Sequence, residues 1–352
     1  RVHDVLYVIA GNQGGGGIPI PTDNYNGINV AYSRLEDGTY SKVDFANLSS
    51  EPDFRSRRSP APETNEGARR SINITAPGSQ IDLIDPDGRI RTASGTSFAA
   101  PHVVGTLALI QQLADRQIRA GLPNWNLDAR RAMVSKVILL NSADKLADTG
   151  DGLRLGMART LRDESNRTWI DSDAYANPMI PLNKDMGTGH LNAYRAYQQF
   201  LPGAFTPDQA VPAIGWNYDG LSLAGSSEAP QYQDYKFEAP LKAGSYLSAT
   251  LAWERVVDLN DANGNGIYDI GETFSNRGLN NLDMYLMPAD ANDLSESIWS
   301  SVSAEDSLEH IFYQIPQTGR YKLRVVFSQQ VHNQPIQPYA LAWWAVADAP
   351  NQ

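Results

Sequence analysis

The sequence predicts an α/β domain built on a parallel sheet, followed by an all-β sandwich or jelly roll. Residues 1–200 alternate short apolar runs with long helical patterns, the texture of a sheet with helices on its faces. Helical periodicity does not return after about Leu201. Short strand patterns separated by turn residues take its place. The expected boundaries are 1–202 for the α/β domain, 203–212 for a linker carrying Gly203, Pro207 and Pro212, and 213–352 for the β domain.

The first element is Val5-Leu6-Tyr7-Val8-Ile9-Ala10, an almost unbroken apolar run closed by Gly11. Such a run reads as a strand buried on both faces, in the interior of a parallel sheet. The domain is therefore expected to be incomplete at its N-terminal side, its remaining strands supplied by a separate preceding segment. A glycine run, Gly14 to Gly17, leads to a second strand at Asn29-Val30-Ala31-Tyr32. Residues 49–71, broken by Pro52, Pro60 and Pro62, are expected to form an exposed loop. A third strand, Ile72-Asn73-Ile74, stops at Ala76-Pro77-Gly78. A helix is expected over residues 97–119, with Val103, Val104, Leu107, Ile110 and Leu113 as its apolar face. Gly121-Leu122-Pro123 ends it, and a second helix is expected over 127–141. The β domain's strands are expected at 246–253, 282–286, 310–315, 321–327 and 339–346, with Trp343 and Trp344 in the core.

Composition narrows the function classes. The chain has 352 residues, 41% hydrophobic and 20% charged, which is globular material with enough apolar residues for a core. Lys and Arg total 29 against 40 Asp and Glu, a formal net charge of −11. That balance argues against binding nucleic acid or an anionic membrane through a general field. No apolar run approaches the roughly 18 residues of a spanning helix, so no membrane span is expected. Cysteine is absent, which excludes disulfides, thiolate catalysis and Cys-ligated metal centres.

The sharpest local pattern is Gly95-Thr96-Ser97-Phe98-Ala99-Ala100-Pro101-His102-Val103-Val104-Gly105. Ser97 follows a glycine turn at the start of the long helix, where free N–H groups and the positive end of the helix dipole can hold a developing oxyanion. A serine there also serves as an N-cap, and alone either role is open. A tetrahedral intermediate needs a second donor besides the Ser97 amide. The side chain of Asn12, just after the first strand, can supply one without adding charge. Asn beside Gly is equally a turn residue.

Gly-Thr-Ser-x-Ala-x-Pro followed by His-Val-Val-Gly resembles the nucleophile motif of the subtilisin-like serine peptidases, the subtilases. Ala10-Gly11-Asn12, Ala76-Pro77-Gly78, the run from Val137 to Ala143, and Gly187-Thr188-Gly189-His190-Leu191-Asn192-Ala193 resemble that family's other segments, in the same order. The resemblance covers about residues 1–200. It implies a subtilisin-like catalytic domain in which Ser97 is the nucleophile and Asn12 the oxyanion donor. It also implies that Ile9, Ala10, Gly11, Gly95 and Thr96 contact a protein or peptide substrate in an apolar, shallow pocket.

The family's Asp and His precede its oxyanion asparagine, and neither motif stands before Asn12 in this sequence. His102 is five residues past Ser97, a rotation of about 500° along the helix, so it points away. His3, His190, His310 and His332 read as structural, and Asp148-Thr149-Gly150 reads as a loop. The expectation is a secreted serine endopeptidase whose triad is completed by an N-terminal segment of the same precursor, released by proteolytic processing. The alternative is an inactive subtilisin-like scaffold or binding protein.

A second pattern lies in the β domain. Asp261, Asn263, Asn265, Asp269 and Glu272 stand at positions 1, 3, 5, 9 and 12 of an EF-hand-like calcium loop, with Gly266 at 6 and the Ile267 carbonyl at 7. The flanks read as strands, so a structural calcium pinning an inter-strand loop is expected; a solvated Asn/Gly turn is the other reading. Leu282-Asp283-Met284-Tyr285-Leu286 resembles the β-sandwich appendages of secreted bacterial peptidases.

Overall fold

The computed structural model describes residues 4–11, 24–43, 69–163, 165–223, 230–332 and 336–348. Its first sheet is mixed rather than wholly parallel. β1 (Val8–Ala10) and β2 (Ile28–Glu36) run parallel, with Ala10 opposite Val30. β3 (Thr39–Val43) turns back antiparallel on β2. Asp37 and Gly38 make that reversal at φ 47° and 78°, the conformation a two-residue hairpin turn demands. β4 (Ile74–Pro77) is again parallel to β2, with Tyr32 opposite Ala76.

The expectation that the first strand is buried on both faces does not hold. Val8–Ala10 is half-buried, and Val5 and Tyr7 are 45% and 67% exposed. Among the described residues β1 pairs only with β2, so its other edge has no strand beside it. The exposed loop expected over 49–71 falls mostly outside the described residues. Its last part is corrected: Arg69 and Ser71 are buried, and the Arg69 guanidinium lies 4.3 Å from the Tyr25 ring centroid.

A two-stranded arm, β5 (Ile81–Ile84) with β6 (Ile90–Ala93), leads from the end of β4 to helix α1 (Thr96–Arg119). α1 lays Ala99, Val103, Ile110 and Leu113 in one core with Val30, Tyr32, Ile74 and Ala76 of the sheet. Val104, expected in that apolar face, is instead 50% exposed. The second expected helix starts late. Residues Leu127–Arg130 form a 3₁₀ turn, Arg131 is extended, and α2 is Ala132–Asn141. β7 (Leu161–Arg162) runs beside β3, and α3 (Ala193–Phe200) closes the helical part. No helix among the described residues is long and apolar enough to cross a membrane.

The strand-rich remainder contains β8 (Ile214–Leu221), β9 (Tyr232–Lys236), β10 (Tyr246–Trp253), β11 (Val257–Asn260), β12 (Thr273–Asn276), β13 (Asn281–Pro288), β14 (Trp299–Ser301), β15 (Leu308–Gln314), β16 (Tyr321–Gln329) and β17 (Gln337–Trp344). Two four-stranded antiparallel sheets result, ordered β15-β10-β17-β8 and β14-β13-β16-β9. Strand alternation explains how the first of them serves two cores. Leu247, Leu251 and Trp253 of β10, with Leu341 and Trp343 of β17, join Met284, Leu286, Leu323 and Val325 of the other sheet. The opposite face offers small residues, Ala252, Ala340 and Ala342, to the core that contains α2. Polar atoms on that face are matched. Ser248 and Thr250 donate to Asn141 Oδ1, whose amide donates to Gln199, which in turn donates to the carbonyls of Gly215 and Trp343.

Candidate active site

Three chain segments meet where α1 begins. Gly95 precedes the helix at φ 152°, a backbone state that side chains rarely adopt, and its N–H donates to Gly78 at 2.8 Å. Gly78 is equally constrained, because a Cβ there would lie 2.5 Å from Tyr32 Cβ and 2.7 Å from the Gly95 carbonyl oxygen. Thr96 is buried, and its hydroxyl donates to the Gly11 carbonyl at 2.8 Å. Gly11 N–H donates to Val30, so the exit of β1 is fixed to both the sheet and the helix start. Ile9 and Ala10 are half-buried beside it, while Gly11 and Gly95 are buried.

Ser97 is the second residue of α1 and is exposed. The helix takes Gly95 as its N-cap with no side-chain cap bond, so Ser97 does not fill the capping role open to it from sequence. Its hydroxyl makes no hydrogen bond among the described residues. Pro101, four residues on, has no N–H to return to the Ser97 carbonyl. The first turn carries no acidic side chain, so nothing there competes with an incoming oxyanion for its amides. Asn12 lies outside the described residues. It is peptide-bonded to Gly11, whose carbonyl is the atom Thr96 holds.

The described histidines are engaged elsewhere. His102 is exposed, and its Nδ1 lies 2.9 Å from the Phe98 carbonyl oxygen. His190 is buried, with Nε2 at 2.8 Å from Ser33 Oγ, Nδ1 at 3.0 Å from the Leu191 carbonyl and its ring stacked on Tyr40. Burial, reinforced by the neighbouring His102 and Arg159 charges, lowers its pKa to about 3, so it stays neutral. His310 is buried against Thr250, His332 sits near Asn280, and His3 is outside the described residues. Asp148 is a loop organiser, accepting the N–H groups of Gly150, Gly152, Arg154 and Gly156. The sequence reading missed Thr96 as the anchor of Gly11; the motif held it, but only the fold supplies its partner.

The calcium-like segment is the tip of the β11–β12 hairpin, whose last pair is Asn260 with Thr273. Asp261 accepts from the N–H groups of Gly264 and Gly266, which hold its carboxyl below the usual range. The Asn263 and Asn265 amides both donate to Asp269, and Glu272 accepts from the N–H groups of Ala262 and Asp269. Gly266 has φ 76°, the sharp turn that position six requires. The donor set is all oxygen, with three carboxylates, which fits a hard divalent cation. The Ile267 side chain is exposed. Among the described residues no three His, Asp or Glu side chains gather tightly enough to hold a metal, so binding needs the carboxylates to turn inward.

Residues 3–158 match the model of the subtilase family, peptidase S8. An intracellular serine protease of Paenibacillus polymyxa is 36% identical over 83 residues, 24% of this chain and 25% of that protein. A subtilisin-like protease of Arabidopsis thaliana is 26% identical over 257 residues, 68% of this chain and 28% of that protein. Among solved structures, fervidolysin from Fervidobacterium pennivorans aligns with 93% of this chain and 54% of its own, at 11% identity and a TM-score of 0.29. The chain thus spans about a quarter of the length of the curated relatives it matches.

Proposed function

Residues 3–158 belong to the subtilase family, and from that premise we propose that this chain is the nucleophile-bearing part of a serine endopeptidase. Ser97 Oγ attacks the scissile carbonyl carbon while its proton passes to a histidine. The carbonyl oxygen becomes an oxyanion received by the Ser97 N–H and the Asn12 amide. Collapse breaks the C–N bond, the amine leaves with the proton, and water then hydrolyses the acyl group from Ser97. A protein or peptide substrate contacts Ile9, Ala10, Gly11, Gly95 and Thr96 in an apolar, shallow pocket. The observation that carries this reading is Ser97 itself, exposed and uncapped at a helix start tied through Thr96 to the residue before Asn12.

The histidine and its aspartate come, on this reading, from a separate N-terminal segment of the same precursor. Two uncovered surfaces support it. The face of β1 that carries Val5, Tyr7 and Ile9 borders an open cleft of about 940 Å³, with Val257 and Phe274 of the β11–β12 hairpin among its other walls. Beyond Ser97, α1 exposes Pro101, Val104, Ala108 and Leu109. Both surfaces have the character of buried elements awaiting a cover.

The test is labelling with a fluorophosphonate probe. Native material holding the companion segment is expected to gain one probe mass on the peptide containing Ser97. Absence of the adduct in intact, freshly purified material would place the chain with inactive scaffolds.

Residues 1–202 form the catalytic part, 203–212 a linker and 213–352 a β-sandwich module, and the protein works outside the cell. Calcium binds Asp261, Asn263, Asn265, the Ile267 carbonyl, Asp269 and Glu272, and stiffens the hairpin. Calcium at a hundredfold excess over Kd is expected to stabilise the chain by about 2.7 kcal/mol, read as a rise in melting temperature. Asp261→Ala should abolish the rise. An equal rise in that variant would remove the loop from consideration.

A further inference from the structure

A groove of about 590 Å³ opens far along the chain from Ser97, between the one-turn helix Asp173–Ala176 and strands β14 and β15. Its walls include Tyr175, Gly244, Trp299, Tyr313, Gln314 and Pro316, and no lining residue is charged. Trp299 and Tyr313 stack with ring centroids 4.9 Å apart and an interplanar angle of 12°. Both rings are only half-buried, so the stacked pair still presents aromatic surface to the groove that water reaches. Polar atoms gather beside it. The Tyr175 hydroxyl lies near Tyr246 and Tyr313, close enough for both to act on it electrostatically. Burial, together with these neighbours, pushes Tyr175 up to about 12, so it remains an uncharged hydroxyl able to donate and accept. Gln314 commits its Nε2 to the Gly244 carbonyl at 2.9 Å, which leaves Oε1 as an acceptor.

We propose that this groove binds a neutral pyranose sugar, stacked on the Trp299–Tyr313 wall and hydrogen-bonded to the tyrosine hydroxyls and Gln314. The chemistry selects that class. An uncharged lining offers nothing to pair with a phosphate, a carboxylate or an ammonium. A pyranose presents one face of C–H groups to an aromatic ring and a rim of hydroxyls at its edge. The groove has the same division, an aromatic wall and a neutral donor–acceptor cluster. A proline-rich segment would use the same aromatic surface, with its free carbonyls accepting from the hydroxyls, and is the competing outcome of the test below. The site is also stiff, because Tyr246 stacks on Phe312 at 4.5 Å beneath the groove, and tyrosines lose little freedom on binding.

The test uses the full chain and three probes, methyl β-D-glucopyranoside, N-acetylglucosamine and cellobiose, followed by tryptophan fluorescence and calorimetry. At least one is expected to bind saturably with Kd on the order of 1 mM. Trp299→Ala should weaken it about tenfold or more, and Tyr175→Phe, which keeps the ring, should weaken it roughly three- to tenfold. Melting curves of both variants establish that the chain still folds. If Trp299→Ala fails to fold, the Tyr175→Phe result decides alone. The proposal is overturned by no saturable binding of any probe at about 50 mM. Affinity unchanged in both folded variants, or binding of a proline decapeptide and no sugar, overturns it equally.

Discussion

Ser97→Ala is expected to lower turnover by about 10⁴-fold or more, with KM and melting temperature nearly unchanged. The size follows from removing the atom that forms the acyl bond; only oxyanion stabilisation and substrate binding remain. The neutrality toward folding follows from this structure. Ser97 is exposed, caps nothing and makes no side-chain hydrogen bond among the described residues, so alanine forfeits no contact and has the better helix propensity. Peptide hydrolysis by the assembled protein, measured beside thermal unfolding, separates the two effects. A variant that keeps a tenth of its turnover would mean that a different group attacks, and the role given to Ser97 would have to be abandoned.

The helix start was legible because the motif and the periodicity agree there. Val103, Ile110 and Leu113 fall at helical spacing and are buried, and Gly95 stands where a positive φ is needed. Elements with polar cores were not legible. In α3 the buried positions include Arg195 and Gln199, whose partners are carbonyls and side chains distant in sequence. β8, which carries Asn217 and Asp219, is absent from the strands expected from sequence, yet Asn217 donates to the buried Tyr235 hydroxyl of β9. Its hydrogen-bonding needs are met by a partner no local pattern announces. Asp37-Gly38 was a readable turn signal between β2 and β3 that the apolar-run reading passed over. The opposite error occurred at β1 and Val104. Both are apolar in sequence and uncovered in the fold, so hydropathy there reports a burial that the described residues do not provide.

That mismatch leads to Gly105, and to a variant that should separate folding from assembly. Gly105 lies inside α1 on the exposed side, between Val104 and Ala108, and a Cβ placed on it meets no atom within 4 Å. A glycine in a helix interior costs about 1 kcal/mol relative to alanine, and the contacts of this chain do nothing to offset it. If a second helix is seated there, the missing side chain is what lets the two backbones approach. Gly105→Trp should therefore leave the chain folded, since the indole points into open space. It should weaken association with the companion segment by about 100-fold or more, because a ring pressed into a helix contact cannot be accommodated without separating the helices. Fluorophosphonate labelling of Ser97 would fall in parallel, while the melting temperature of this chain alone would hold. Gly105→Ala provides the graded case, raising the stability of this chain by up to about 1 kcal/mol and weakening assembly less than tryptophan does. Unimpaired assembly of the folded tryptophan variant, measured by sedimentation or by co-purification with the companion segment, would move the partner off this face of α1. The unpaired edge of β1 would then be the only surface left to receive it among those described.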